Sequence, residues 1–208
     1  MKKPAPAAKK TASPAIELRV VKFEQASAWH KWLEQHHAAS PGVWLELAKK
    51  SSGVKSITYA EAVDGALRWG WIDGQGRSLH DQAWLQKFTP RRKRSIWSKI
   101  NRDKALVLIA NGDMRPPGLA EVERAQQDGR WEAAYESPRQ ASIPADLSKA
   151  LAKNRAASDF FEKLDATNRY AILWRLQTAK RPDTRARRIS QFVAMLARGE
   201  KLHTRGGG

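Results

Sequence analysis

The hydrophobic pattern of the chain changes once, and this change limits the folds that the sequence can adopt. Up to Thr89-Pro90, stretches with alternating apolar residues, which are typical of strands, are interspersed with helical stretches. From Ser95 onward the apolar spacing is helical, and prolines and glycines separate the helical segments. This order predicts an α+β fold with a small mixed or antiparallel sheet and packed helices in the N-terminal part, followed by an all-helical C-terminal part.

The same pattern predicts how the chain is divided. We expect a disordered basic tail over 1–15, a tryptophan-rich α/β domain over 16–136, a helical domain over 137–203 and a flexible tail over 204–208. Seven of the nine tryptophans precede residue 100. Because each ring buries a large area, the α/β domain should have a dense aromatic core.

Local signals define individual elements of the α/β domain. The alternation of Val43, Leu45 and Leu47 predicts a strand. The spacing of Thr58 and Glu61 is that of a capping box at a helix N-terminus. The stretch "WGWIDGQGR" predicts a strand of about three residues and then a glycine turn, since glycine adopts positive φ at no cost.

Helical segments are expected after Pro90. The first should begin at Ser95 or Ser98 and bury Ile100, Leu106 or Val107, and Ile109. Further helix starts are predicted at the residues Pro144, Ser158, Thr167 and Pro182.

The net charge of +17 is concentrated in three blocks. Residues 1–14 carry +4, residues 87–104 carry +7 and residues 180–205 carry +6, whereas the remaining stretches are balanced. Such blocks attract polyanions, and they are equally compatible with solvated basic surfaces. The charge therefore keeps nucleic acid among the candidate partners without selecting it.

Several classes of chemistry lack the residues that they require. The chain has no cysteine, which excludes disulfides, thiolate nucleophiles and cysteine-ligated metals. The sequence contains neither a nucleophile elbow nor a complete phosphate-binding loop, and we expect no cofactor and no metal. The longest apolar run, "ALVLIA", is too short to span a bilayer, and the N-terminus lacks the apolar region of a signal peptide, so we expect a cytoplasmic protein.

The stretch "FTPRRKRSIWSKIN" is the best candidate for a binding site. Four consecutive basic residues, Arg91 to Arg94, follow a proline, and a helix begins shortly afterwards. Arginine side chains together with a helix N-terminus form a recurrent anion site. Asp73 beside Gly74 is a second candidate, in which the carboxylate binds a ligand and the glycine allows its close approach. Trp97 either stacks on a ligand or belongs to the core.

These residues and their neighbours resemble a known family. The motifs "TYAEAVDGALRWGWIDGQ", "FTPRRKRSIWSKIN" and "DGRWEAAY", with the helical segment "FFEKLDATNRYAILWRLQTAKRPDTRARRISQFVAMLARGEKLH", are similar to those of the YdeI/OmpD-associated, or bacteriocin-protection, proteins. The resemblance implies protection against bacteriocins or cationic antimicrobial peptides and a partner linked to an envelope porin. Together with the basic stretch, it gives a predicted ligand-binding set: Trp69, Trp71, Asp73, Gly74, Thr89, Arg91, Arg92, Trp97, Ser98 and Asn101.

Three functions follow as hypotheses. The first is a non-enzymatic cytoplasmic stress or protection protein that acts through a protein partner or a small anionic ligand at a pocket lined by aspartate and arginine. The second is nonspecific nucleic-acid binding through Arg91, Arg92, Lys93, Arg94, Lys99, Arg102, Arg185, Arg187 and Arg188. The third is an uncharacterised enzyme that uses Asp73, His80 or Asp81 as acid or base.

Overall fold

The computed structural model describes residues 17–204, so that the tail predicted over 1–15 and residues 205–208 lie outside the described residues. The chain forms two compact units, of which the first ends at Arg91 and the second begins at Arg92. The sequence pattern predicted this division between residues 136 and 137. The predicted division into domains stays a prediction. Within the second unit, residues 97–98 contact residues 131–135: the Trp97 and Trp131 rings lie 4.9 Å apart, and Ser98 forms a β-bridge with Tyr135.

The first unit contains a four-stranded mixed sheet and two helices, as the α+β prediction requires. Strand order is β1-β2-β4-β3, with β1 parallel to β2 and the other pairs antiparallel. The elements are β1 (Val20–Lys22), α1 (Ala26–His36), β2 (Val43–Ala48), α2 (Tyr59–Arg68), β3 (Trp71–His80) and β4 (Ala83–Pro90).

The core of the first unit follows from strand alternation and aromatic burial. Every second residue of β2, beginning at Val43, is buried, which confirms the predicted strand. Trp29, Trp71 and Phe88 are almost completely buried in the same unit. The Trp29 and Phe88 ring centroids lie 5.8 Å apart, a separation at which aromatic rings attract one another.

The predicted capping box of α2 is present. The Thr58 side chain accepts a hydrogen bond from the Glu61 amide, and a Glu61 carboxylate oxygen accepts one from the Thr58 amide at 2.7 Å. This backbone hydrogen bond is the largest cause of the lowered pKa of Glu61. The helix ends before Gly70, whose φ of 70° is the left-handed conformation expected after a helix.

The glycine turn predicted after Trp71 is wrong. β3 continues through Gly74 and Gly76 to His80, and its register against β4 shifts between Asp73 and Gly76. A Cβ atom at Gly76 would lie 3.3 Å from both the Gln86 side chain and the Trp84 ring. Gly76 therefore leaves room for the Gln86 and Trp84 side chains beside the bulge, and it does not adopt a positive φ.

The second unit is helical in the part of the chain that the structure describes. Its elements are α3 (Lys99–Ala110), α4 (Pro116–Gln127), α5 (Ala145–Ala152), α6 (Arg155–Glu162), α7 (Ala166–Gln177) and α8 (Pro182–Ala197). The last four helices share a core that includes the side chains of Leu147, Leu151, Phe161, Ile172, Leu176, Phe192 and Leu196. No helix within residues 17–204 is long and apolar enough to cross a membrane.

Two of the four further helix starts are confirmed at Pro144 and Pro182, where α5 and α8 begin. The starts predicted at Ser158 and Thr167 are wrong, because Asn154 and Asp165 cap α6 and α7 instead. Each of these side chains accepts a hydrogen bond from the amide three residues later, at 3.0 Å and 2.8 Å respectively.

The buried face predicted for α3 is also wrong. Ala105 and Leu108 are its buried apolar residues. The four predicted residues are all exposed: Ile100 by 45%, Leu106 by 48%, Val107 by 59% and Ile109 by 37%. Apolar residues occur on every side of this helix, so sequence spacing alone did not identify the side that faces the core.

Candidate functional site

The structure divides the predicted ligand-binding set between the two units. Asp73 and Arg91 belong to the first unit, and Arg92 belongs to the second. The Tyr59 hydroxyl donates a hydrogen bond of 2.7 Å to the Asp73 carboxylate. Arg91 is buried, and its amide donates to the Gly70 carbonyl at 3.0 Å. The common pocket of Asp73, Arg91 and Arg92 therefore stays a prediction.

Several aromatic and polar members of this set support the fold. Trp71 is 1% exposed and donates from its indole nitrogen to the His37 carbonyl, while the Trp69 ring packs 4.4 Å from the His37 ring. Trp97 is 2% exposed, which favours the core over ligand stacking for its ring. Of the remaining members, Gly74 is exposed and Thr89 is half-buried.

Ser98 and Asn101 belong to the first turn of α3. The Ser98 hydroxyl accepts a hydrogen bond of 3.1 Å from the Asn101 amide, and this bond caps α3. It confirms Ser98, one of the two predicted starts of this helix. Arg92 and its two basic neighbours lie at least four residues before this cap, and they are exposed. They are thus outside the first turn, where amides bind anions.

The nine basic residues proposed for nucleic acid have different environments. Lys99 pairs with Glu136 at 2.8 Å and Arg102 with Asp103 at 3.3 Å. Arg185 makes two hydrogen bonds to Asp146, at 2.6 and 2.9 Å, and Arg188 donates to the Arg175 carbonyl. Arg91 is buried, which leaves four exposed members: Arg92, Lys93, Arg94 and Arg187.

Two of the three candidate acid and base groups, His80 and Asp81, are at the turn of the β3–β4 hairpin, whereas Asp73 pairs with Phe88 farther along it. His80 and Asp81 are exposed, and His80 Nδ1 accepts a hydrogen bond of 3.2 Å from the Gln82 amide. Within residues 17–204, no group of three or more histidine, aspartate or glutamate side chains could hold a metal ion.

A pocket that sequence reasoning missed lies within the second unit. Its volume is about 310 Å³, and its walls come from the segment after α4 and from the C-terminal end of α7. The charged residues that line it are Asp128, Arg130 and Lys180. Its other lining residues are small, apolar or neutral polar: Ile96, Gly129, Ala133, Tyr135, Gln177, Thr178 and Ala179.

Arg130 organises one wall of this pocket. Its side chain is 6% exposed, and its Nε donates to both oxygens of Asp128, at 2.7 and 2.8 Å. Its Nη1 donates to the Ser95 carbonyl at 2.6 Å. The hydrogen bond from Arg130 is the largest cause of the lowered pKa of Asp128, and the charge of Lys180 lowers that pKa further. Asp128 therefore stays ionised to a lower pH than an ordinary aspartate.

Gln177 belongs to the opposite wall, and a hydrogen-bond network fixes it. Its side-chain oxygen accepts from the Glu136 amide at 3.0 Å, and the Glu136 carboxylate accepts from Lys99. The Tyr170 hydroxyl donates to the Glu136 carbonyl at 2.9 Å. The hydrogen bond from Lys99 is the main cause of the lowered pKa of Glu136. These contacts join α3, α7 and the segment at Glu136, so the pocket wall is preorganised.

The arrangement favours a small anion. Two cations and one carboxylate line the pocket, and the carboxylate is already hydrogen-bonded by one of the cations. Of the two cations, the exposed Lys180 is the one that is accessible to a ligand, and the Asp128 carboxylate is 46% exposed beside it. The flexible ammonium group of Lys180 can act as a point-charge partner for a carboxylate or phosphate.

One signal for the pocket was present in the sequence. Residues 128–135 are the motif "DGRWEAAY", which contributes to the family resemblance but to none of the sites predicted from sequence. No local pattern connects this motif with residues 177–180, because only the tertiary packing of α7 brings them together. The motif could therefore have indicated Asp128 and Arg130, but not Lys180.

Comparison with known proteins gives two family matches. Residues 21–121 match a domain of unknown function, DUF8412, and residues 140–199 match the family described as "Bacteriocin-protection, YdeI or OmpD-Associated". The first two motifs of the resemblance lie in the first match, and "DGRWEAAY" lies between the two matches. No curated protein and no solved structure matches the chain. Residues 140–199 therefore match the bacteriocin-protection (YdeI or OmpD-associated) family that the sequence resemblance predicted.

Proposed function

We propose that this chain is a non-enzymatic cytoplasmic protection protein that acts by binding a small anionic ligand in the pocket of Asp128, Arg130 and Lys180. The family match supports a protection-type role against bacteriocins. The ligand, the pocket and the cytoplasmic location are our additions to that role. The absence of cysteine from the chain is in keeping with a reducing compartment.

The observation that carries the proposal is the charge arrangement of the pocket. A nearly buried guanidinium group neutralises Asp128, and a second cation, Lys180, remains at the exposed side. Electrostatic attraction between Lys180 and an anion is stronger in a partly enclosed space than on an open surface, because less water screens it. The apolar surface of Ile96 and Ala133 favours an organic anion over a bare inorganic one.

The other two hypotheses receive less support from the geometry. Two of the three candidate acid or base groups, His80 and Asp81, are exposed at a hairpin end, where a substrate would remain in contact with water. Four of the nine residues proposed for nucleic acid are engaged by carboxylates or carbonyls of the chain. A porin-linked protein partner stays an expectation from the family resemblance.

The proposal is tested by survival of bacteria that express the chain during challenge with a bacteriocin or a cationic antimicrobial peptide. Lys180→Glu reverses the accessible charge of the pocket, and we expect it to abolish protection while the protein still folds. Arg187→Glu is the matched control, since it makes the same charge change at an exposed position that does not line the pocket. Equal survival with the two variants would contradict the role of the pocket, and no protection by the unmodified chain would contradict the proposed function.

A further inference from the structure

The outward face of α3 is apolar although it is exposed. We define this face by Ile100, Leu106, Val107 and Ala110. At 100° per residue these positions span an arc of about 120°, the width of a typical core-facing stripe. The opposite side, with Ala105 and Leu108, is the side that packs against the chain. α3 thus has the composition of a helix whose two opposite sides are both buried. The rest of the chain covers only the side with Ala105 and Leu108.

Basic residues flank this apolar face. Arg92, Lys93 and Arg94 precede the helix and are exposed, and Arg115 follows it and is exposed. On the helix itself, the carboxylate of Asp103 lies on the face and accepts a hydrogen bond of 3.3 Å from Arg102. The flanks therefore present positive charge at both ends of α3, and the acidic residue in the middle already has a cationic partner.

The charge distinguishes between two occupants. A second copy of the chain would bring a block of the same +7 charge against residues 87–104, and like charges at an interface are unfavourable. An acidic segment would instead pair with the flanking arginines and lysines. The face has the length of α3, which is about 18 Å, and this length matches about three turns of a partner helix.

We infer that the outward face of α3 docks an acidic amphipathic helix of a partner protein. The apolar residues of that helix, spaced by three and four positions, would pack on Ile100, Leu106 and Val107, as ridges of one helix pack into grooves of another. Its glutamates and aspartates would lie near Arg92, Lys93, Arg94 and Arg115. This surface is distinct from the residues that line the pocket, so the inference holds whether or not the pocket binds an anion.

The probe for this inference is a synthetic helical peptide of about five turns, with leucines along one face and glutamates on the flanks. Binding is followed by fluorescence anisotropy at low and at high salt. A shuffled peptide of the same composition reports nonspecific charge attraction. We expect the helical peptide to bind, the shuffled peptide to bind at least about tenfold more weakly, and the affinity to fall with salt.

Two variants of the full chain localise the binding. Val107→Glu introduces a charge at the most exposed of the large apolar residues of the face, and we expect it to weaken peptide binding by at least about tenfold. Ile143→Glu makes the same kind of change at a residue that is 43% exposed elsewhere in the second unit, and it should leave binding unchanged. Equal affinities of the two variants, or equal binding of the shuffled peptide, would overturn the inference.

Two further measurements identify other occupants. If light scattering after gel filtration shows a dimer that Val107→Glu converts to a monomer, a second copy covers the face and the inference is wrong. If the chain sediments with vesicles containing phosphatidylglycerol and Val107→Glu prevents this, the face binds a lipid surface and the inference is equally wrong. A monomer that does not bind these vesicles, and that binds the acidic helical peptide, supports it.

Discussion

The basic segment Arg91–Arg94 and the pocket of Asp128, Arg130 and Lys180 differ in how their charges are held. The segment has four consecutive cations, of which the first is buried and the other three are exposed. The pocket has two cations separated by 50 positions in sequence, and one of them is 6% exposed and bound to both a carboxylate and a carbonyl. Density of charge along a sequence therefore indicates an exposed basic surface, whereas a preorganised site requires partners that tertiary packing supplies.

The largest expected effect comes from replacing the anchored cation. Arg130→Ala removes the partner of Asp128 and leaves the Ser95 carbonyl without its charged donor, so we expect the free energy of unfolding to fall by about 2–3 kcal/mol. Urea denaturation followed by tryptophan fluorescence measures this change. Arg92→Ala, at an exposed position, should change the same free energy by less than about 0.5 kcal/mol. Similar losses of unfolding free energy in Arg130→Ala and Arg92→Ala would contradict the difference between an anchored cation in the pocket and an exposed cation in the basic segment.

A smaller effect is expected in the basic block over residues 180–205. There Arg185 is hydrogen-bonded to the carboxylate of Asp146, as Arg130 is to that of Asp128. The hydrogen bonds from Arg185 are the largest cause of the lowered pKa of Asp146. Because this pKa is lower in the folded chain than in the unfolded chain, the pair stabilises the fold above the usual aspartate pKa of about 3.9. The stabilisation is lost as the pH falls from that value through the lower folded pKa. Asp146 is 45% exposed, so solvent screening limits the contribution to a few tenths of a kcal/mol.

Asp146→Asn tests this pH dependence. We expect the variant to be less stable than the unmodified chain at about pH 7, and the difference to disappear as the pH is lowered below the folded pKa of Asp146. Urea denaturation at a series of pH values measures it. A constant difference at all pH values would show that Asp146 stabilises the fold by packing alone. Asp183→Asn is a suitable control, because Asp183 pairs with Arg181 at a more exposed position, where both side chains are more than 60% exposed.

Local signals explain why much of the fold was predictable. The capping box of Thr58 and Glu61 and the alternation of β2 both depend on residues that are close in sequence. The same holds for the starts of α5 and α8 at prolines. These interactions form within a few residues, so the amino-acid spacing contains the required information.

Predictions failed where distant contacts decide the structure. The glycines after Asp73 are typical of a turn, but pairing of β3 with β4 keeps them in a strand. Four apolar residues of α3 are predicted to be buried from their spacing, and all four are exposed because Ala105 and Leu108 face the core instead. Arg130 contacts the carbonyl of Ser95, which is 35 positions away. The pocket depends on such long-range contacts, so local sequence patterns did not predict it.

Native mass spectrometry of the chain purified from bacteria tests the central claim most directly, because it detects a bound small anion whatever its chemical identity. We predict an added small mass on the unmodified chain and on Arg187→Glu, and its absence from Lys180→Glu. If all three proteins have the same mass spectrum apart from their substitutions, with or without an added mass, the pocket of Asp128, Arg130 and Lys180 is not the ligand site.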